Sequence, residues 1–285
     1  MHDVLRLAGA FVAWKFLLLL LTNLAPGPGY DSSTTLLPSS SKLTRWDAIY
    51  YVSKARRGDL FEQDWAFGKG LSTLLRPTAK YDIDTTISAG VALSLFSHFL
   101  AVLSLWKIAA LLNTGHTGNV RFSKALPLIT GCIHIISPAG VFLSAPYAEA
   151  PFACLQMFGF WLYLEGRLKT SSGAAWARCG LIVLSGVVFG CATLLRSNGI
   201  LSGLPFLFDA VQLAYQLCLT GMRGSLPGSR ISRLIATITA GMFIASGLCW
   251  PQYLAYKEYC YGEETRSWCQ RRLPLVYSFV QSHYW

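Results

Sequence analysis

The sequence predicts an all-α polytopic membrane protein. Charged residues make up 13% of the 285, and hydrophobic ones 53%, where a soluble domain of this length would carry about 25% charged. Mean hydropathy is +0.42. The apolar runs are too long and too numerous for the core helices of a soluble fold. Short alternating segments of the kind that build membrane β-barrels do not occur.

The apolar runs place seven spans at about 4–24, 86–112, 126–145, 148–164, 179–196, 200–220 and 232–254. The first run exceeds the apolar part of a secretory signal, and Pro26 and Gly27 follow it without a small-x-small cleavage site, so it reads as a retained span. A long loop, 25–85, comes next. Its opening stretch, Pro26 to Ser41, is rich in Pro, Gly, Ser and Thr and reads as irregular. Thr44 is the expected N-cap of a short amphipathic surface helix over 45–57, with Asp47 in its first turn. Asp47, Tyr51 and Lys54 share one face of that helix. Very short connections join the third span to the fourth and the fifth to the sixth, which predicts two tight helical hairpins. No internal repeat is visible.

The formal net charge is +10. The basic residues are scattered between apolar runs with no basic-aromatic cluster, so no nucleic-acid partner is expected. They read as topology-setting charge in contact with anionic lipid. Arg6 precedes the first span. Arg121 and Lys124, then Arg167, Lys169 and Arg178, then Arg223, Arg230 and Arg233 occupy alternate loops. These loops and the N-terminus are therefore expected in the cytosol. The 25–85 loop, the 146–148 and 196–199 turns and the 255–285 segment are expected on the lumenal or exterior side. The long loop mixes eight Lys/Arg with seven Asp/Glu, but loops of that length escape the charge rule. Of eight cysteines, six lie in apolar runs and read as packing residues. Cys260 and Cys269 share one terminal loop and either stay free or, if lumenal, pair. Nothing in their spacing resembles a zinc site.

Four features fall on the expected lumenal side: Arg45-Trp46-Asp47 with Glu62 and Asp64, Ser144 to Glu149, Arg196 to Gly199, and Gln281 to Trp285. Each has two readings. Asp47 either stabilises a helix start or acts as a single general base, as suffices where the leaving group is a phosphate and no acid is needed. Glu62 and Asp64 either bind acceptor hydroxyls, orient Asp47 or hold a metal, or else offset Arg56, Arg57 and Lys69; their spacing fits no metal motif. Glu149 either caps a helix or lines a site. Arg196 either snorkels to head groups or holds a lipid phosphate. Asn198-Gly199 is turn chemistry on both readings. Gln281, His283, Tyr284 and Trp285 belong either to a site or to an interfacial aromatic belt.

These residues, in this order, resemble the GPI mannosyltransferase 2 family of the PIG-V type. The resemblance runs through Arg45-Trp46-Asp47-Ala48, Phe61 to Phe67, Ser137 to Glu149, Arg196-Ser197-Asn198-Gly199 and Leu273 to Trp285. It implies a GT-C type membrane enzyme of the endoplasmic reticulum, residues 1–285 forming one transmembrane domain with 25–85 as its first lumenal loop. It implies transfer of the second, α1,6-linked mannose from dolichyl-phosphate-mannose to the GPI precursor, with inversion and without a metal or other cofactor. It places Asp47 as the base. It matches Glu62 to an acidic position of the same loop. The residues expected around the substrates are Arg45, Trp46, Glu62, Asp64, Tyr147, Glu149, Arg196, Asn198, Gln281, His283 and Trp285, with Arg196 the candidate for the donor phosphate on its own chemistry. A small accessory membrane subunit is a further expected partner. Two departures stand out. Gly68-Lys69-Gly70 replaces the family's Phe-Pro-type continuation. The chain also stops at Trp285 inside a motif that normally runs on, so a C-terminally truncated chain is expected. The competing readings are another GT-C mannosyltransferase, a non-catalytic membrane subunit, or a transporter. Mid-spans nearly free of charge speak against the last.

Overall fold

The computed structural model describes residues 2–26, 41–113, 120–168, 175–221, 228–261 and 265–284, and every regular element among them is helical. The helices are α1 (His2–Leu24), α2 (Asp47–Arg57), α3 (Lys69–Leu75), α4 (Ile83–Leu112), α5 (Val120–Ile135), α6 (Glu149–Leu168), α7 (Ala175–Leu195), α8 (Gly203–Gly221), α9 (Gly228–Cys260) and α10 (Val276–Tyr284). Short 3-10 turns at Glu62–Ala66 and Ser197–Ser202 precede α3 and α8.

All seven apolar runs contain helices, and five of these are long and apolar enough to cross a membrane. The third departs from expectation. Its helix, α5, ends at Ile135, and residues 136–148 follow as turns. Pro138 and Pro146, each without a backbone N–H, and Gly140 account for the break. The third and fourth spans are thus joined by an ordered irregular segment, not by a tight hairpin. The fifth and sixth, α7 and α8, are joined by the Ser197–Ser202 turn, but each packs on α9 and they do not form the expected hairpin with each other.

Irregular backbone beside lipid is tolerated only where protein satisfies its polar groups. Lys15, buried in the middle of α1, does this: its ammonium donates to the carbonyls of Gly140 and Leu143, both at 3.2 Å, and to Ser144 Oγ at 2.8 Å. Ser94 of α4 donates to the Ala145 carbonyl at 2.6 Å. Lys15→Met should remove about 1–3 kcal/mol of stability, because the buried acceptors lose their donor. The loss should show as faster hydrogen exchange across 137–148 than across α7.

The helices pack as a row in which α1 meets α5, α5 meets α4, α4 meets α6, α6 meets α7, α7 meets α9 and α9 meets α8. In lipid, small residues that let backbones approach substitute for a hydrophobic driving force. The α7–α9 contact is built this way. A Cβ at Gly190 would lie 2.5 Å from the Phe243 carbonyl oxygen, and one at Gly186 2.4 Å from Ala240 Cα.

Beyond α9, Cys260 and Cys269 form a disulfide with Cα atoms 5.6 Å apart and a sequence separation of 9. Trp268, fully buried, packs there with Trp65, Ala255, Val276 and Val280. This ties the C-terminal segment to the loop that carries Asp47. Closing so short a loop is worth about 2–3 kcal/mol in the chain-entropy model. Cys260→Ser should therefore lower the thermal midpoint of the purified protein, and reductant should lower the wild type but not the variant.

Candidate functional site

The helix that carries Asp47 starts two residues later than its hydrophobic pattern predicts. Asp47 is the first residue of α2, and Trp46 precedes it as cap residue with φ 46° and no side-chain cap bond. Thr44 is not the cap: it is buried, and its hydroxyl has no hydrogen-bond partner among the described residues. Trp46 is the only non-glycine residue with positive φ among those described. Holding a bulky residue there costs on the order of 1–3 kcal/mol, which surrounding contacts must offset. Those contacts are present. The Trp46 ring stacks on Phe142 at 5.9 Å and 14°. Tyr147, itself buried, donates its hydroxyl to the Arg45 carbonyl at 2.7 Å. Both partners come from the irregular segment that Lys15 holds.

Below Asp47, the buried face of α2 locks the helix in place. Tyr51 and Ala55 pack with Phe67, Leu71, Leu75, Ala148 and Leu195. At its far end Lys54 is buried and bonds the carbonyls of Asp64 and Phe67 at 2.7 and 2.8 Å and the Asp59 carboxylate at 2.8 Å. The loop then docks on the end of α7 through Gly68, where a Cβ would fall 2.1 Å from the Leu195 carbonyl oxygen. Only glycine fits at that approach. The Gly68-Lys69-Gly70 departure is therefore what brings this loop against α7.

Asp47 opens into a cavity of about 310 Å³ walled by Tyr51, Phe67, Gly68, Thr193, Arg196, Asn198, Gly247, Pro251, Gln252 and Tyr277 among others. Asp47 is an exposed residue and lines that space. The walls still strip it of water, and this partial burial raises its pKa above the usual carboxylate value. Repulsion from Glu149 adds to the rise and the Arg196 charge offsets part of it. Glu149, the first residue of α6, is ion-paired with Arg196, which follows the last turn of α7. The Tyr51 hydroxyl is pushed up by burial first and then by Glu149, with Arg196 opposing. On α9, Pro251 has no N–H to offer the Gly247 carbonyl, and both residues line the cavity. Next to them the Gln252 Oε1 is buried with no hydrogen-bond partner among the described residues. The cavity thus holds one carboxylate free to take a proton, a guanidinium, and an unpaired amide oxygen beside a proline inside α9.

An apolar groove of about 580 Å³ adjoins it. Leu194 and Leu195 belong to both; Leu74, Leu155, Trp250 and Leu254 supply most of the remaining apolar wall, and Lys69 is the one charged residue on it.

Of the expected site residues, the structure brings together Asp47, Glu149, Arg196 and Asn198, with Arg45, Trp46 and Tyr147 fixing the backbone that presents Asp47. Asp64 is not brought to the cavity. It is buried, receives two bonds from Arg57 at 2.6 and 2.8 Å, and accepts from the Leu60 and Phe61 amides. Glu62 accepts from Trp268 Nε1 at 2.8 Å and so tethers the C-terminal segment. Gln281 and His283 are exposed on α10, His283 stacked on Phe279 at 5.1 Å. Trp285 lies outside the described residues. Sequence reasoning missed Tyr51 and Gln252 as cavity residues. Tyr51 was legible as the residue one turn beyond Asp47 on the same face. Gln252 was legible as an amide beside a proline in an apolar run.

The family model described as Mannosyltransferase (PIG-V) matches residues 31–285. The chain is 37% identical over 299 residues to GPI mannosyltransferase 2 of Gibberella zeae, covering 100% of this chain and 67% of that protein. It is 36% identical over 306 residues to GPI mannosyltransferase 2 of Aspergillus oryzae, covering 100% of this chain and 66% of the relative. It is 28% identical over 297 residues to GPI alpha-1,6-mannosyltransferase 2 of Rattus norvegicus, covering 92% of this chain and 54% of the relative. The chain thus spans about two thirds of the length of these two fungal relatives. No solved structure matches it.

Proposed function

The chain belongs to the PIG-V mannosyltransferase family, and from that premise we propose that it is a GT-C type enzyme of the endoplasmic-reticulum membrane. It transfers an α1,6-linked mannose from dolichyl-phosphate-mannose to a GPI precursor, in the cavity beside Asp47 and on the lumenal face. The observation that carries this reading is the Asp47 carboxylate, open to a polar cavity that adjoins an apolar groove. A lipid-phosphate donor needs both environments, a dry groove for its chain and a polar chamber for its sugar.

In the proposed step an acceptor hydroxyl attacks the anomeric carbon as its proton passes to an Asp47 carboxylate oxygen. The new C–O bond forms while the bond from that carbon to the phosphate oxygen breaks on the opposite face. The phosphate leaves with the electron pair, which makes the step an inversion. Arg196 suits the departing phosphate, since a guanidinium can contact Glu149 and a phosphate oxygen at once. The raised pKa of Asp47 makes it a stronger base than an ordinary carboxylate.

The test is a transfer assay in membranes of cells that lack the second GPI mannose, using the full coding sequence. Labelled dolichyl-phosphate-mannose should donate. Transfer from GDP-mannose with synthesis of the lipid donor blocked would overturn the assignment.

The pH profile provides a second check. The base works deprotonated, so kcat/KM should fall as pH drops through the raised Asp47 pKa. Glu149→Gln removes a repelling charge and should move that acid limb to lower pH. Arg196→Gln removes an attracting charge and should move it to higher pH. Limbs that stay put in both variants would show that another group titrates.

A further inference from the structure

The end of the bundle remote from Asp47 carries a second polar centre. Helix α6 runs from Glu149 to Leu168, so Arg167 stands about 27 Å along its axis from the Asp47 cavity, at ~1.5 Å per residue. Helix α7 returns from Ala175 toward Arg196 and sets Arg178 beside it; α9 starts at this same end with Arg230 and Arg233. The four arginines line one cavity of about 190 Å³, together with Gln216.

One carboxylate organises half of this cluster. Asp209 of α8 is 2% exposed and lies 3.0 Å from Arg167 Nη1 and 3.5 Å from Arg233 Nη2. Tyr163 donates to Asp209 at 2.6 Å, and Arg167 donates to Tyr163 at 3.1 Å. Two guanidiniums are thereby fixed in orientation from below. Arg178 and Arg230 are paired with no acidic group among the described residues. Arginines that only set topology would spread outward into head groups. These four instead surround a single recess, with more positive charge than Asp209 can balance. The recess is roomy for water, whose share of volume is about 30 Å³, and admits a phosphate with the atoms next to it. Guanidiniums match phosphate oxygens in pairs, which a lone lysine cannot do.

We propose that this cavity binds the phosphate of an anionic membrane-lipid headgroup, separately from the transfer site. Native mass spectrometry of the detergent-purified full chain tests it, with phosphatidic acid, phosphatidylcholine of the same acyl chains, and inorganic phosphate as probes. Phosphatidic acid should bind saturably and be retained in preference to phosphatidylcholine. The double variant R178Q/R230Q leaves the Asp209 contacts intact, so it should keep the wild-type thermal midpoint while losing affinity for phosphatidic acid by at least about tenfold. Equal affinity in wild type and variant would overturn the proposal. Inorganic phosphate competing at the affinity of the lipid would assign the cavity to a free phosphate and overturn the lipid source. If the protein shows no mannosyl transfer yet binds phosphatidic acid through these arginines, the proposed enzymatic function fails and this inference stands.

Discussion

Asp47→Asn should reduce mannosyl transfer by about 10²–10⁴-fold, the contribution typical of a positioned general base, with the folded amount in the membrane unchanged. The contrast between the two readouts is what gives the variant its force. Asp47 is the first residue of α2 and has a structural use, because a negative charge at a helix start is worth about 0.3–1 kcal/mol. Its removal therefore costs little stability, and Asn keeps the shape. If Asp47 served only the helix, transfer would follow that small change. Asp47→Glu keeps the charge but moves it by a methylene from a backbone that Trp46, Tyr147 and Arg45 hold in one arrangement. It should retain partial activity, between wild type and Asn. Full activity in Asp47→Asn would remove the base from the mechanism.

Asp64→Ala should do the reverse. Asp64 is 1% exposed and holds Arg57 through two bonds as well as two backbone amides. Truncating one partner of a buried ion pair typically costs about 3–5 kcal/mol. The Arg57 side chain is 31% exposed and can recover some hydration, so a loss of about 2–4 kcal/mol is expected here, including two unpaired amides. The thermal midpoint should fall, and folded protein in the membrane with it. The acceptor KM of the surviving protein should be unchanged. A normal midpoint with a raised KM would return Asp64 to the substrate.

The seven apolar runs were legible because a helix in lipid must be apolar over most of its length, and the structure places a helix in each of them. Where the pattern misled was 126–145, because apolarity alone cannot distinguish helix from irregular backbone capped by a buried lysine. The partners of Lys15 are carbonyls more than a hundred residues away, and no local signal announces them. The site divides in the same way. Asp47, Glu149 and Arg196 each sit at an element boundary, the last two next to an apolar run, where an ionisable residue draws notice. Asp64 carries the same chemistry three residues from Phe61, yet its role is decided by Arg57 and two amides, contacts that only the folded loop defines. Gly68 looked like a disruption of the pattern because the Leu195 carbonyl it accommodates lies far along the chain. The disulfide between Cys260 and Cys269 was one of two readings of the sequence; the fold selects it.

The proposed role of Asp47 is tested most directly by measuring donor binding and transfer on the same preparation of Asp47→Asn. A base acts on the acceptor proton and contributes little to holding the lipid, so dissociation of dolichyl-phosphate-mannose should stay within about threefold of wild type while transfer is lost. Loss of donor binding in proportion to loss of transfer would make Asp47 a binding residue and contradict its assignment as the base.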